Sequence, residues 1–118
     1  MLNQLILIGR VTHDPEPLIL EDGKKLLKFN LAVQRPFKNY HGEYDTDFIN
    51  ITAWEGLANI IQSYIKKGVM VAVKGRVQTY KYEVLENKSI NMLEVIAERV
   101  TYLAASKKQL EKELEDTE

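Results

Sequence analysis

The chain has no cysteine among its 118 residues, so a disulfide framework and a thiolate metal site are both excluded. Its two histidines, His13 and His41, are isolated from one another and lack metal-pair spacing, so both read as loop or surface residues. There is no phosphate-cradling Gly-rich loop followed by Lys and Ser/Thr, and no nucleophile patterned with a base. Catalysis is not expected, and neither a metal nor a cofactor is implied. No apolar run approaches bilayer length. The first residues lack the basic region, apolar core and cleavage site of a secretion signal, so an intracellular, soluble protein is expected.

An excess of either charge is also lacking. The formal net charge is −1, with residues 1–103 balancing at +1 and residues 104–118 at −2. Bulk attraction to a polyanion is therefore weak, and any such binding must come from local arrangement. Composition is otherwise that of one small globular domain, 45% hydrophobic and 28% charged.

Period-two patterning dominates what is present. QLILIGRVT (4–12) is a short apolar run interrupted by Gly9, as in a strand that bends or is closely approached. DPEP (14–17) enforces a turn or an edge, and Asp22-Gly23 marks a tight hairpin. Leu27, Phe29, Leu31 and Val33 alternate with Lys28, Asn30, Ala32 and Gln34, a half-buried strand. Residues 35–46 read as a long loop holding three aromatics, and DFINITAW (47–54) as the next strand. The period then changes. Leu57, Ile60, Ile61, Tyr64 and Ile65 share a helical face, with Lys66 and Lys67 in the last turn and Gly68 as its stop. From Val69 strand patterning returns, bending at Gly75, and two extended pieces (79–85 and 90–102) flank residues 86–89. The phase of the last piece is ambiguous.

About five strands with one helix between the third and fourth predict an all-β fold, a five-stranded OB-type barrel. An open α+β sheet covered by one helix is the alternative. ASKKQLEKELEDTE (105–118) reads as a solvated tail, with Leu110 and Leu114 spaced for a short helix. The expected domains are thus 1–103 and a charged tail, 104–118.

One feature of DFINITAW conflicts with simple amphipathicity. If Ile49, Ile51 and Ala53 enter the core, then Phe48 and Trp54 stand on the wetter face beside Asn50 and Thr52. Opposite the valines that begin at Val69, the set Lys74, Arg76, Gln78 leads in phase to Tyr80 and Tyr82. The long loop adds Arg35, Phe37, Lys38, Tyr40 and Tyr44. Aromatic planes interleaved with cations suit unpaired nucleic acid, because bases stack on the rings while cations track phosphates. Any single ring could equally be covered by a helix or an oligomer interface. Tyr64 and Tyr102 read as packing. Phe48 and Trp54 together with the aromatic loop favour binding.

GRVTHDPE (9–16), LAVQRPFKNYHGEYDTDFIN (31–50), Trp54, YIKKG (64–68), VAVKGRVQT (71–79) and EVIAERVTYL (94–103) resemble the bacterial single-stranded DNA-binding protein family, in order and in register. The resemblance implies an OB fold, usually a homotetramer, that coats single-stranded DNA without sequence specificity or enzymatic activity. It implies action in DNA replication, recombination and repair, and a cytoplasmic, nucleoid-associated location. It places base stacking on Phe37, Phe48, Trp54 and Tyr82; the outward strand phase adds Tyr80, and it and the aromatic loop make Arg35, Lys38, Lys74 and Arg76 the expected phosphate contacts. Two departures stand out in this region. Glu55 and Gly56 follow the tryptophan where the family often has basic residues, and Ile19 stands where it commonly has an aromatic. The family's C-terminal acidic tip, closing on an apolar dipeptide with Phe, docks replication and repair proteins. ELEDTE has no such aromatic, so replication and repair proteins stay among the partners the resemblance implies, while the tail argues against docking through it. Two other readings stay open at this stage. One is an RNA-binding OB module. The other is a primosome or interaction subunit similar to primosomal replication protein N, against which the helix weighs mildly.

Overall fold

A computed structural model describes residues 1–116, apart from the side chains of Gln109 and Asp116. Thr117 and Glu118, the end of the acidic tail, lie outside the described residues. Six strands and two helices follow one another as β1 (Leu5–Val11), β2 (Glu16–Ile19), β3 (Lys25–Lys38), β4 (Tyr44–Trp54), α1 (Glu55–Ile61), β5 (Met70–Leu85), β6 (Lys88–Ala104) and α2 (Lys107–Asp116). In the sheet, β1, β5, β6, β4 and β3 lie side by side, and β1 also pairs with β3. That last pairing, through Arg10–Ala32 and Val11–Leu31, closes a five-stranded barrel of the OB type. The open-sheet alternative is thereby set aside. β4 and β6 run parallel, and every other pairing is antiparallel. Only β2 lies outside the ring, as a short edge strand on β3 that includes Pro17. An edge tolerates proline because no ladder donor is lost there.

The inward sets form the core as alternation predicts: Leu27, Phe29 and Leu31 of β3, Ile51 and Ala53 of β4, Val71 and Val73 of β5, Val95 and Ala97 of β6. α1 plugs the barrel with Ala58 and Ile61, and Ile65 follows just beyond it. Closing so small a barrel brings backbones close together. A Cβ on Gly9 would sit 2.3 Å from the Ala32 carbonyl oxygen, and one on Gly75 would sit 2.2 Å from that of Ile96. Both glycines are required by that approach.

Four expectations change. Residues 35–46 are not a long loop. β3 and β4 extend through them as a hairpin whose turn spans only 39–43. Asn39 organises that turn: its Oδ1 accepts from the His41 and Glu43 amides, and its Nδ2 donates to Asp45 Oδ1. The helix is shorter than its apolar spacing suggests. It ends at Ile61, so Lys66 and Lys67 lie past its last turn, and Ile60 points to solvent. Gly68 does not cap that helix; its amide donates to the Val11 carbonyl, tying the turn to β1. The piece 79–85 is continuous with β5, and Lys88 and Ser89 already belong to β6, leaving Glu86 and Asn87 as the turn. The register shift opposite Lys74 and Gly75 skips Glu98, so β6 changes phase midway. That bulge is why no single period fits residues 90–102.

Candidate nucleic-acid interface

Rows of paired residues across β2, β3 and β4 build the outward face. Leu18, Leu26 and Trp54 form one row; Glu16, Lys28 and Thr52 form the next. Asn30 opposite Asn50 and Ala32 opposite Phe48 complete it. Phe48 and Trp54 are separated by about 20 Å of strand, from the usual rise per residue, with a polar strip between them. Phe48 is 67% exposed and Trp54 38% exposed. Neither ring is sealed inside the subunit.

Beyond the barrel wall, the hairpin of β5 and β6 projects Tyr80 and Tyr82 on one side, opposite Met92 and Ile90 in register. Tyr80 joins His13, Lys28, Asn50, Thr52 and Glu94 around a cleft of about 230 Å³. A second cleft, about 340 Å³, places Phe48 against Leu5, Leu7, Val77 and Leu93, and shares Asn50 and Glu94 with the first. Tyr80 and Phe48 therefore border neighbouring clefts that share Asn50 and Glu94. Tyr82 is exposed farther out on the hairpin.

On the hairpin of β3 and β4, Phe37 and Tyr40 are exposed, and Tyr40 meets His41 edge to face at 5.2 Å. Lys38 Nζ lies 5.9 Å from the Tyr44 ring centre. Arg35 is already engaged. Its Nε donates to Asp47 Oδ2 at 3.0 Å and its NH2 to Asp47 Oδ1 at 2.9 Å, with Asp45 3.8 Å away. These hydrogen bonds raise the arginine's pKa and hold the Asp47 carboxyl below its ordinary value. Arg76 donates to Gln78 Oε1 at 2.8 Å. Lys74 stands apart, exposed between Ile6 of β1 and Arg99 of β6, two strands around the ring from β4. Tyr64 packs as expected: its hydroxyl donates to the Val100 carbonyl and its ring meets Tyr102 edge to face. Burial pushes the Tyr64 pKa up.

The polar strip itself was not singled out in the sequence. Lys28, Asn30, Asn50 and Thr52 were visible as outward-phase residues, but which of them lie opposite depends on the register that the 39–43 turn sets. Glu94 was hidden by the bulge at Glu98. Its Oε2 accepts the Thr52 hydroxyl at 2.9 Å.

The closed five-stranded barrel with one helix after β4 defines a chain of the OB-fold class. The chain belongs to the single-strand binding protein family, whose sequence model matches residues 2–103. A single-stranded DNA-binding protein of Oceanobacillus iheyensis is 42% identical over 103 residues, which are 87% of this chain and 64% of that protein. One of Halalkalibacterium halodurans is 43% identical over 103 residues, 87% of this chain and 61% of that protein. The chain thus spans less than two thirds of the length of these two relatives. Among solved structures, an SSB of Plasmodium falciparum in complex with ssDNA superposes with a TM-score of 0.77 at 28% identity, covering 88% of this chain and 96% of that one. A single-stranded DNA-binding protein of Thermus aquaticus superposes at 0.72 with 26% identity, covering 88% of this chain and 51% of that one.

Proposed function

We propose that this chain coats single-stranded DNA without enzymatic activity, serving replication, recombination and repair in the cytoplasm, where it would associate with the nucleoid. The observation that carries this reading is the exposure of Phe48 and Trp54 on one face of β4, where a core or a covering helix would have hidden them. Phe37, Phe48, Trp54, Tyr80 and Tyr82 act as stacking platforms, each worth about 1–3 kcal/mol to a base. Lys38, Lys74 and Arg76 contact phosphates. Arg35 does so only by giving up Asp47, so in the free protein it braces the hairpin. With a net charge of −1, stacking carries an unusually large share of affinity and the salt dependence is shallow.

The working unit is a homo-oligomer, a tetramer by family expectation. Ile6 and Ile8 support this, being 70% and 55% exposed on β1, an apolar pair suited to a second copy, with Ile8 opposite Ala72 of β5 and Ile6 opposite Lys74 at its rim. Titration with oligo-dT at low salt tests the central reading. Trp54 fluorescence should fall strongly, with affinity rising with oligomer length and exceeding that for the matching ribo-oligomer. Absence of quenching defeats the assignment, and equal or tighter RNA binding redirects it to RNA.

A further inference from the structure

The cleft between Trp54 and Phe48 is lined by hydrogen-bonding groups in addition to cations and rings, and their donor and acceptor pattern is defined. Resting on the DNA-binding reading, we propose that this cleft is a base-edge subsite that favours guanine over thymine, read by Glu94 and Asn50 beside the Tyr80 ring.

A chain of hydrogen bonds sets the polarity. Thr12 Oγ1 lies 2.8 Å from His13 Nδ1 and, with Nδ1 carrying the ring proton, is free to donate to Asn30 Oδ1 at 3.1 Å, which turns the Asn30 amide nitrogen toward β4. Asn30 Nδ2 then donates to Asn50 Oδ1 at 3.0 Å. Asn50 is left with its Nδ2 as a donor at the cleft. On the adjacent strand β6, just before the Ile51–Val95 pair as Asn50 is, Glu94 Oε2 accepts the Thr52 hydroxyl, which fixes the carboxylate in place while lone pairs on both oxygens remain. Asn50 and Glu94 together therefore offer one donor beside a pair of acceptors, with the Lys28 ammonium, His13 and the Glu16 carboxylate lining the same cleft.

The Watson–Crick edge of guanine presents the complement: O6 accepts, while N1–H and the exocyclic N2 amine donate. Thymine matches only in part. Its N3–H can meet the carboxylate, but its O2 then faces a carboxylate oxygen, acceptor against acceptor. Adenine separates edge reading from stacking, since it is a purine of similar ring area whose N1 is an acceptor. Tyr80 lines the same cleft and supplies a ring for whichever base enters. Binding elsewhere on the surface stays indifferent to sequence, so the subsite biases register along a strand without making the protein sequence-specific.

The test is an anisotropy titration with a labelled oligo-dT of fixed length, and with the same oligomer carrying one dG or one dA at each position in turn. A single guanine avoids strand self-association. We expect one register in which dG tightens binding about fivefold or more over dT, the range of a bidentate base contact, with dA gaining much less. Glu94→Gln replaces one acceptor by a donor and keeps an oxygen for Thr52, and should bring the dG and dT affinities together. Asn50→Asp, at an exposed position, should do the same by removing the donor to O6; circular dichroism confirms that both variants fold. Equal affinities for dG and dT in the wild type overturn the subsite, as does a dG preference that survives both variants or is matched by dA. If oligo-dT itself fails to bind, the DNA-binding reading falls first and the subsite with it.

Discussion

Trp54 occupies a junction with two demands. Its ring lies in register with Leu26 and Leu18, so one edge is packed, while enough of it is bare to receive a base. Phe48, opposite the small Ala32, is freer. Replacing either with Ala should weaken oligo-dT binding by about 1–3 kcal/mol while leaving the barrel folded. Titration with a labelled oligomer beside a thermal melt separates the two effects. A melt that collapses for Phe48→Ala would show a packing residue instead. At the same scale, a core residue behaves in the opposite way. Leu31→Ala, at a fully buried site, should lose about 2–5 kcal/mol of stability, measured by urea denaturation.

At the scale of the element, β1 and the long hairpin of β3 and β4 carry different predictions. Gly9→Ala drives a methyl into the Ala32 carbonyl where two strands close the ring. It should cost at least roughly 1–3 kcal/mol, the range for overpacking, visible as a lowered denaturation midpoint. The hairpin is held by the Arg35–Asp47 clasp, and its pH response follows from the depressed Asp47 pKa. A lowered carboxyl pKa means the clasp contributes fully above the ordinary value of 3.8 and is lost as pH falls through the lower folded value. Protection of the 39–43 turn amides, relative to their intrinsic exchange rate at each pH, should therefore fall on acidification below 3.8, and Asp47→Asn should remove that loss. Much of this architecture was legible in advance. Strict alternation in residues 27–34 and 47–54 set both the core and the outward rings, because one buried face specifies phase strongly. The hairpin at 35–46 was not legible, since its strands carry polar and aromatic residues on both sides and lack a core to betray a period. The helix end was misplaced because Tyr64 and Ile65 keep a helical spacing while packing from a turn.

For the whole molecule, the exposed isoleucines of β1 predict assembly. Mass measurement in solution should give a multiple of the 13.6 kDa chain, and Ile6→Glu combined with Ile8→Glu should yield the single chain, still folded by circular dichroism. A single-chain mass for the wild type would remove the oligomer from the proposed function. Circular order of strands could be inferred from pattern and family likeness, but closure depends on contacts far apart in sequence that no local period reports. That closure is uneven. β4 meets β6 through only the pairs Ile51–Val95 and Thr52–Ile96, whereas its neighbour on the other side follows it for most of its length. The Thr52–Glu94 hydrogen bond crosses this narrow seam on the outside. A nucleotide lodged there would touch both lips at once, so the same act that captures a strand would also fasten the barrel where it is most thinly stitched.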